Sequence, residues 1–237
     1  MRSILLLLAL GLSCFFFSAA QVSSDKNASA EHHDASALDD AAIASGLEEA
    51  LEISTTKAIA LAGKRDGFLE NESIRILLPP ELQAIGKSMR LLEMGDQVDE
   101  LEIGMNRAAE QATPQAKPIF LAALKNLSFK DPRLVLNGGD TAASEYFRRI
   151  SSADLSAAFT PIVHRSLERM GVIKQYHRVL KNDPGGNALA SKFDLDNYVV
   201  EKTIDAIFYM LAAEETNIRR DPTAQTSPLL KDVFGSK

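Results

Sequence analysis

Glu201 and Asp205 stand four residues apart with Lys202 between them, a spacing that puts both carboxylates on one side of a helix, and Phe208 and Ala212 continue that side. Carboxylates pointing into a helical bundle must meet cations or hydrogen-bond donors, because an unpaired buried charge costs several kcal/mol or shifts its pKa instead. The sequence offers Arg107 with Asn106, Arg148 or Arg149, and Lys117 as partners. Asn106, Arg107 and Glu110 project away from the apolar stripe of their own segment together with Ile103, and an isoleucine on that face implies that it too is covered. Two chemistries fit. In one, Asn106, Arg107, Glu110, Lys117, Glu201, Lys202 and Asp205 build a polar pocket in which Glu201 or Asp205 acts as base and Arg107 holds an anion. In the other, which we prefer, they form a structural ion-pair network between helices or lie on solvated faces, since such networks perturb pKa values without doing chemistry.

Other patterns carry less. His164 and Glu168 are one turn apart, but the two-histidine spacing of a helical zinc site is missing and His177 is distant, so they read as surface histidines and no metal site is implied. Gly138-Gly139 and Gly185-Gly186 lack both the phosphate-loop lysine and the strand-to-helix setting, which argues against a nucleotide cofactor. No serine occupies a Gly-x-Ser-x-Gly elbow. Asn27, Asn71 and Asn126 begin Asn-x-Ser triplets that matter only where secreted proteins are glycosylated. No cofactor is expected.

The elements that position these groups read as helix after helix. Ala41 to Ala62 carries an apolar stripe through Leu47, Leu51, Ala58 and Leu61, with Gly63 as its stop. Asp66 to Pro80 breaks the rhythm and reads as an ordered connector, with Ile74 to Leu78 suited to extended backbone. Pro79-Pro80 opens a helix over Glu81 to Met94 that Gly95 ends. Asp96 then caps the next, where Val98, Leu101, Met105, Ala108 and Ala112 share a face until Pro114 stops it, and Lys117-Pro118 begins another through Phe120 and Leu127.

Asp140 is placed to cap a helix through Tyr146 and Phe147. Ser152 or Asp154 starts a further one with Phe159, Ile162, Val163, Leu167 and Met170 inward and Gly171 at its end, and Val172 to Leu180 is a shorter helix. Asn182 to Asn187 is turn-rich and reads as a mobile loop. Asp194 caps a helix to Arg219, whose stretch from Ala206 to Ala213 is wholly apolar and predicts a helix enclosed by others at the centre of a bundle. Pro228 to Phe234 closes the chain as a short helix docked on the core. The fold class is all-α, a single multi-helix bundle-like domain over residues 41–237 with a buried central C-terminal helix.

Composition and the N-terminus bound the setting. A net charge of -6, with both signs interspersed, gathers neither phosphate backbones nor anionic lipid, so nucleic acid is not an expected partner. Met1 to Ala20 has the parts of a cleavable secretory signal: Arg2, an apolar run from Ile4 to Phe17, and small residues before Gln21. The run falls short of a bilayer span, so no transmembrane segment is expected in the mature chain. Cys14 lies inside that signal. Gly11 stands where a lipoprotein site normally has a leucine, which reads against a lipid anchor. Residues 21–40 are too poor in apolar side chains to offset the entropy of ordering and read as a flexible tail, with His32-His33 solvated in it. The expected localisation is secreted, and periplasmic in a Gram-negative source.

Several segments together resemble a known family: Gly46-Leu47-Glu48-Glu49-Ala50-Leu51, Met105 to Glu110, Ala116 to Phe120, Leu136-Asn137-Gly138-Gly139-Asp140 with Tyr146-Phe147, and Tyr198 to Asp205 with Phe208-Tyr209. The domain over about Gly46 to Phe234 resembles domain of unknown function family 4197, uncharacterised exported proteins that are mainly bacterial. The resemblance implies a helical domain of the envelope compartment and brings no activity, cofactor or catalytic residue with it. Ser54 departs from the pattern, which would have a glycine there. The function expected is non-catalytic binding or scaffolding in the cell envelope, with an unknown protein, peptide or small-molecule ligand. The rival is a hydrolase- or lyase-like enzyme using Glu201, Asp205 and Arg107.

Overall fold

Asp39 opens the first helix by accepting the Ala42 amide at 2.7 Å, satisfying one of the amides a helix start leaves free. The computed structural model describes residues 38–181 and 193–235, all in one compact unit. The segment read as a secretory signal, Cys14, His32-His33, nearly all of the segment read as a tail and the Asn182 to Asn187 stretch lie outside the described residues. Among them are eight α-helices: α1 (Asp40–Ala62), α2 (Gln83–Leu91), α3 (Gly95–Lys125), α4 (Pro132–Leu136), α5 (Ala142–Arg169), α6 (Val172–Lys181), α7 (Leu195–Arg220) and α8 (Pro228–Phe234). The fold is all-α, with no strand among the described residues. None of these helices is long and apolar enough to cross a membrane.

Two helices are longer than the sequence predicts. Pro114 and Pro118 both lie inside α3, and Pro161 lies inside α5, where Ser152 and Asp154 were expected to start a new helix. A proline inside a helix removes one backbone bond and costs about 3 kcal/mol in isolation. Here one buried face runs through the interruption, with Ala112, Thr113, Ala116, Phe120 and Leu124 all inside, and α3 packs along both α1 and α5. Thr113 and Ser151 return their hydroxyls to the carbonyls four residues back, so neither side chain competes with the helix it sits in. Tertiary burial outweighs the local penalty.

The α2 to α3 turn also differs. A 3-10 turn over Pro80–Leu82 leads into α2, which ends at Leu91 and not at Met94 before Gly95, and Glu93 takes the left-handed conformation (φ 60°). Gly95 is the first residue of α3, and Asp96 sits in its first turn without capping it. At the end of α5, Gly171 does adopt a positive φ of 72°, but Met170 is exposed rather than inward.

α7 packs between α1 and α5 and touches α3, while α3 also meets α2 and α6. Asp194 caps α7 by accepting the Asn197 amide at 2.9 Å. Phe120, Phe147 and Phe208 join α3, α5 and α7, with ring centroids 5.4 to 6.2 Å apart in tilted and edge arrangements that suit their quadrupoles. The apolar stretch of α7 is not enclosed on every side: Ile207, Phe208 and Leu211 are buried, but Tyr209 is 55% exposed. α8 docks Leu230, Val233 and Phe234 as expected, and Gly46 of α1 lies so close that a Cβ there would meet Val233 at 2.6 Å. Ser54 is fully buried.

Candidate functional site

Glu102, Asn106 and Glu110 recur every four residues on α3 and therefore share one face, which the connector between α1 and α2 crosses. The connector's burial alternates, Ile74, Ile76 and Leu78 inside and Arg75 and Leu77 outside, as in a strand with one apolar face. Its backbone has no neighbouring strand, and α3 side chains supply the missing partners. Asn106 accepts the Ile76 amide at 2.8 Å and donates to the Ile76 carbonyl at 2.7 Å, using both ends of its carboxamide. Glu102 accepts the Leu78 amide at 2.8 Å, and Glu110 accepts those of Phe68 and Leu69 at 3.1 and 3.2 Å.

Arg107 is fastened to the same structure. It donates to Glu110 at 2.7 Å and to Asp66 at 2.5 Å, where the connector turns through a positive φ of 65°. These two hydrogen bonds, Glu110's the stronger, raise the guanidinium pKa above its already high value. Arg107 therefore does not serve Glu201 or Asp205. Those two carboxylates do not point into the bundle either: Glu201 is exposed and takes the Asn197 carboxamide at 2.9 Å, and the half-buried Asp205 is paired with Arg148. Lys117 is exposed on α3, two turns beyond Glu110, and lines no cleft described here. The seven predicted residues thus divide into a clasp (Asn106, Arg107, Glu110), a surface pair (Lys202, Asp205) and two outliers (Glu201, Lys117).

The connector that the clasp holds and the surface residues Lys202 and Asp205 line one open cleft of about 520 Å³, whose lining includes none of the three clasp side chains. Its walls are the connector from Ser73 to Pro80 with Gln83, Arg148 of α5, and Tyr198, Lys202, Asp205, Ala206 and Tyr209 of α7. Tyr198 ties the walls together: its hydroxyl donates to the Leu77 carbonyl at 3.0 Å, and Lys202 lies over its ring at 5.7 Å. Burial, then Glu81 and Glu102 nearby, raise the Tyr198 phenol pKa and keep it a neutral donor. Arg148 lies 5.8 Å over the Phe208 ring, so the cleft floor rests on the aromatic cluster. Three cations, Arg75, Arg148 and Lys202, line it against the single carboxylate of Asp205. Leu77 and Tyr209, 57% and 55% exposed, supply apolar surface.

A second polar group escaped the sequence reading. Glu215 and Arg219, one turn apart on α7, form a buried ion pair at 2.7 Å. Glu215 also accepts the Ala143 and Ser144 amides at 3.0 and 2.7 Å and the Ser144 hydroxyl, so it caps α5 in place of Asp140, which instead pairs with Arg220. Arg219 donates to the Leu136 and Val135 carbonyls at 2.8 and 3.2 Å, closing the end of α4, and stacks on Phe234. The four-residue spacing of opposite charges was the available signal. His164 bridges Asp196 at the start of α7 and Glu168 on its own helix, which makes it a contact between α5 and α7. Among the described residues no three His, Cys, Asp or Glu side chains gather as metal ligands.

Fold and cleft together define an all-α domain in which an extended connector is strapped to one helix and forms one wall of a cleft against two others. The chain belongs to the family described as "Protein of unknown function (DUF4197)", whose model matches residues 37–235. Neither curated proteins nor solved structures yield a match to the chain.

Proposed function

We propose that this is a non-catalytic binding or scaffolding domain of the cell envelope that engages its ligand in the cleft between the connector, α5 and α7. The observation that carries the reading is the division of labour among the polar groups. Arg107, Asn106 and Glu110 are committed to holding the connector, while Lys202 and Arg75 face solvent beside exposed Leu77 and Tyr209. Open clefts that combine apolar surface with a few polar anchors are the usual form of a ligand site. The hydrolase- or lyase-like alternative needs Arg107 beside Glu201 or Asp205, and Arg107 has two other carboxylates. Export rests on Arg2, the apolar run to Phe17 and the small residues to Ala20.

Cross-linking in living cells tests both parts. A photoreactive benzoylphenylalanine at position 209 should give a discrete, saturable adduct in the envelope fraction, and the same group at exposed Arg165 on α5 should give none. Equal labelling at both positions, or none at 209, would remove the cleft reading. Mass spectrometry of the mature chain should find Gln21 at its N-terminus, and an unprocessed chain in the cytoplasm would remove the envelope.

A further inference from the structure

In an extended chain successive peptide groups face opposite sides. The Ile76 amide and carbonyl both go to Asn106 on α3, so those of Leu77 face the other way, towards the cleft. The Leu77 carbonyl takes the Tyr198 hydroxyl, but its N–H has no hydrogen-bond partner among the described residues. An open amide on a strand-like edge is a donor for the carbonyl of another chain.

The cations around that amide are not all matched. Asp205 is occupied by Arg148. Arg75 meets an acid only at 3.9 Å, in Glu102, whose other oxygen takes the Leu78 amide. Lys202 makes no ion pair among the described residues, and the Tyr198 ring that carries it belongs to the side chain bonded to Leu77. Leu77 and Tyr209 add apolar surface to the same cleft.

Resting on the reading of this cleft as the ligand site, we propose that its occupant is an extended acidic peptide segment, whose backbone carbonyl accepts the Leu77 N–H and whose carboxylates meet Lys202 and Arg75. Alternate side chains of such a segment face one side. Arg75 and Leu77 share the outward face of the connector, so on the side of the segment that faces the cleft a carboxylate and an apolar side chain two residues apart reach the cations and the surface of Leu77 and Tyr209. A free anion would use the cations and leave the apolar surface idle.

The test titrates 15N-labelled protein with an acetylated, amidated heptapeptide that carries glutamate and leucine in turn at its odd positions and serine between them, with its glutamine counterpart, and with glutarate. The acidic peptide should saturate and displace the Leu77 amide resonance, and the glutamine peptide should bind about fivefold more weakly. Lys202→Gln, at an exposed position that leaves the melt unchanged, should weaken the acidic peptide by about the same factor. Glutarate binding as tightly as the peptide with the Leu77 amide unmoved would overturn the peptide while leaving a ligand cleft in place. If neither probe moves the cleft amides, the proposal is overturned, and the adduct at position 209 judges the broader reading separately.

Discussion

Replacing Glu215 by glutamine keeps the shape of the side chain and removes its charge from a place where four donors converge: two α5 amides, the Ser144 hydroxyl and Arg219. The side chains of Glu215 and Arg219 are 0% and 5% exposed, so neither can turn to water for compensation. Breaking a buried pair by removing one partner costs about 3–5 kcal/mol, because the surviving charge is left in a poor solvent. Arg219 keeps the Val135 and Leu136 carbonyls and the Phe234 face, which places the expected loss near the lower end, about 3 kcal/mol.

For a domain of this size that corresponds to a melting temperature lower by roughly 6–12 °C. Thermal and urea unfolding of Glu215→Gln, Arg219→Met and the double variant measure it, and the coupling between the two sites should exceed about 1 kcal/mol. A single variant melting within about 2 °C of the parent, or additive losses, would refute the idea that this pair ties α4, α5 and α7 together.

Arg107→Ala should destabilise by about 2 kcal/mol, since it leaves the mostly buried Glu110 without its cation and Asp66 with only Arg65 at 3.6 Å, whereas Glu201→Gln on the exposed face of α7 should change stability by less than about 0.5 kcal/mol. Equal melts for the two would argue against the clasp. For His164, the hydrogen bond its ring donates to Asp196, then the charge of that carboxylate, raise the imidazole pKa above the ordinary value. The folded state then holds the proton more tightly than the unfolded one. Its stabilisation is complete below the ordinary pKa of about 6.5 and is lost as pH rises through the raised folded value. Melting curves should accordingly show a fall in stability as pH rises above about 6.5 that His164→Gln flattens, and NMR titration of the ring should find its midpoint above the ordinary histidine value. A flat profile in the parent protein would contradict the contact.

What sequence patterns determined by themselves was local: the helical period of α1, α6 and α7, the caps at Asp194 and Gly171, and the non-helical character of residues 66–80. These follow from spacing, capping chemistry and backbone preference within a few residues. The tertiary structure decided which local signals prevail and which polar groups meet. Pro114, Pro118 and Pro161 do not stop their helices because buried faces on both sides hold the helix together. Glu215 replaces Asp140 as the cap of α5 because α7 brings it there from 71 residues away in sequence. Asn106 and Arg107 were singled out for a covered face on the strength of Ile103, which is itself 43% exposed; the group they meet is the connector and not the α7 carboxylates. Helical spacing tells which residues share a face. Only packing tells what lies opposite, and a charged or amide side chain takes its role from the group it meets there.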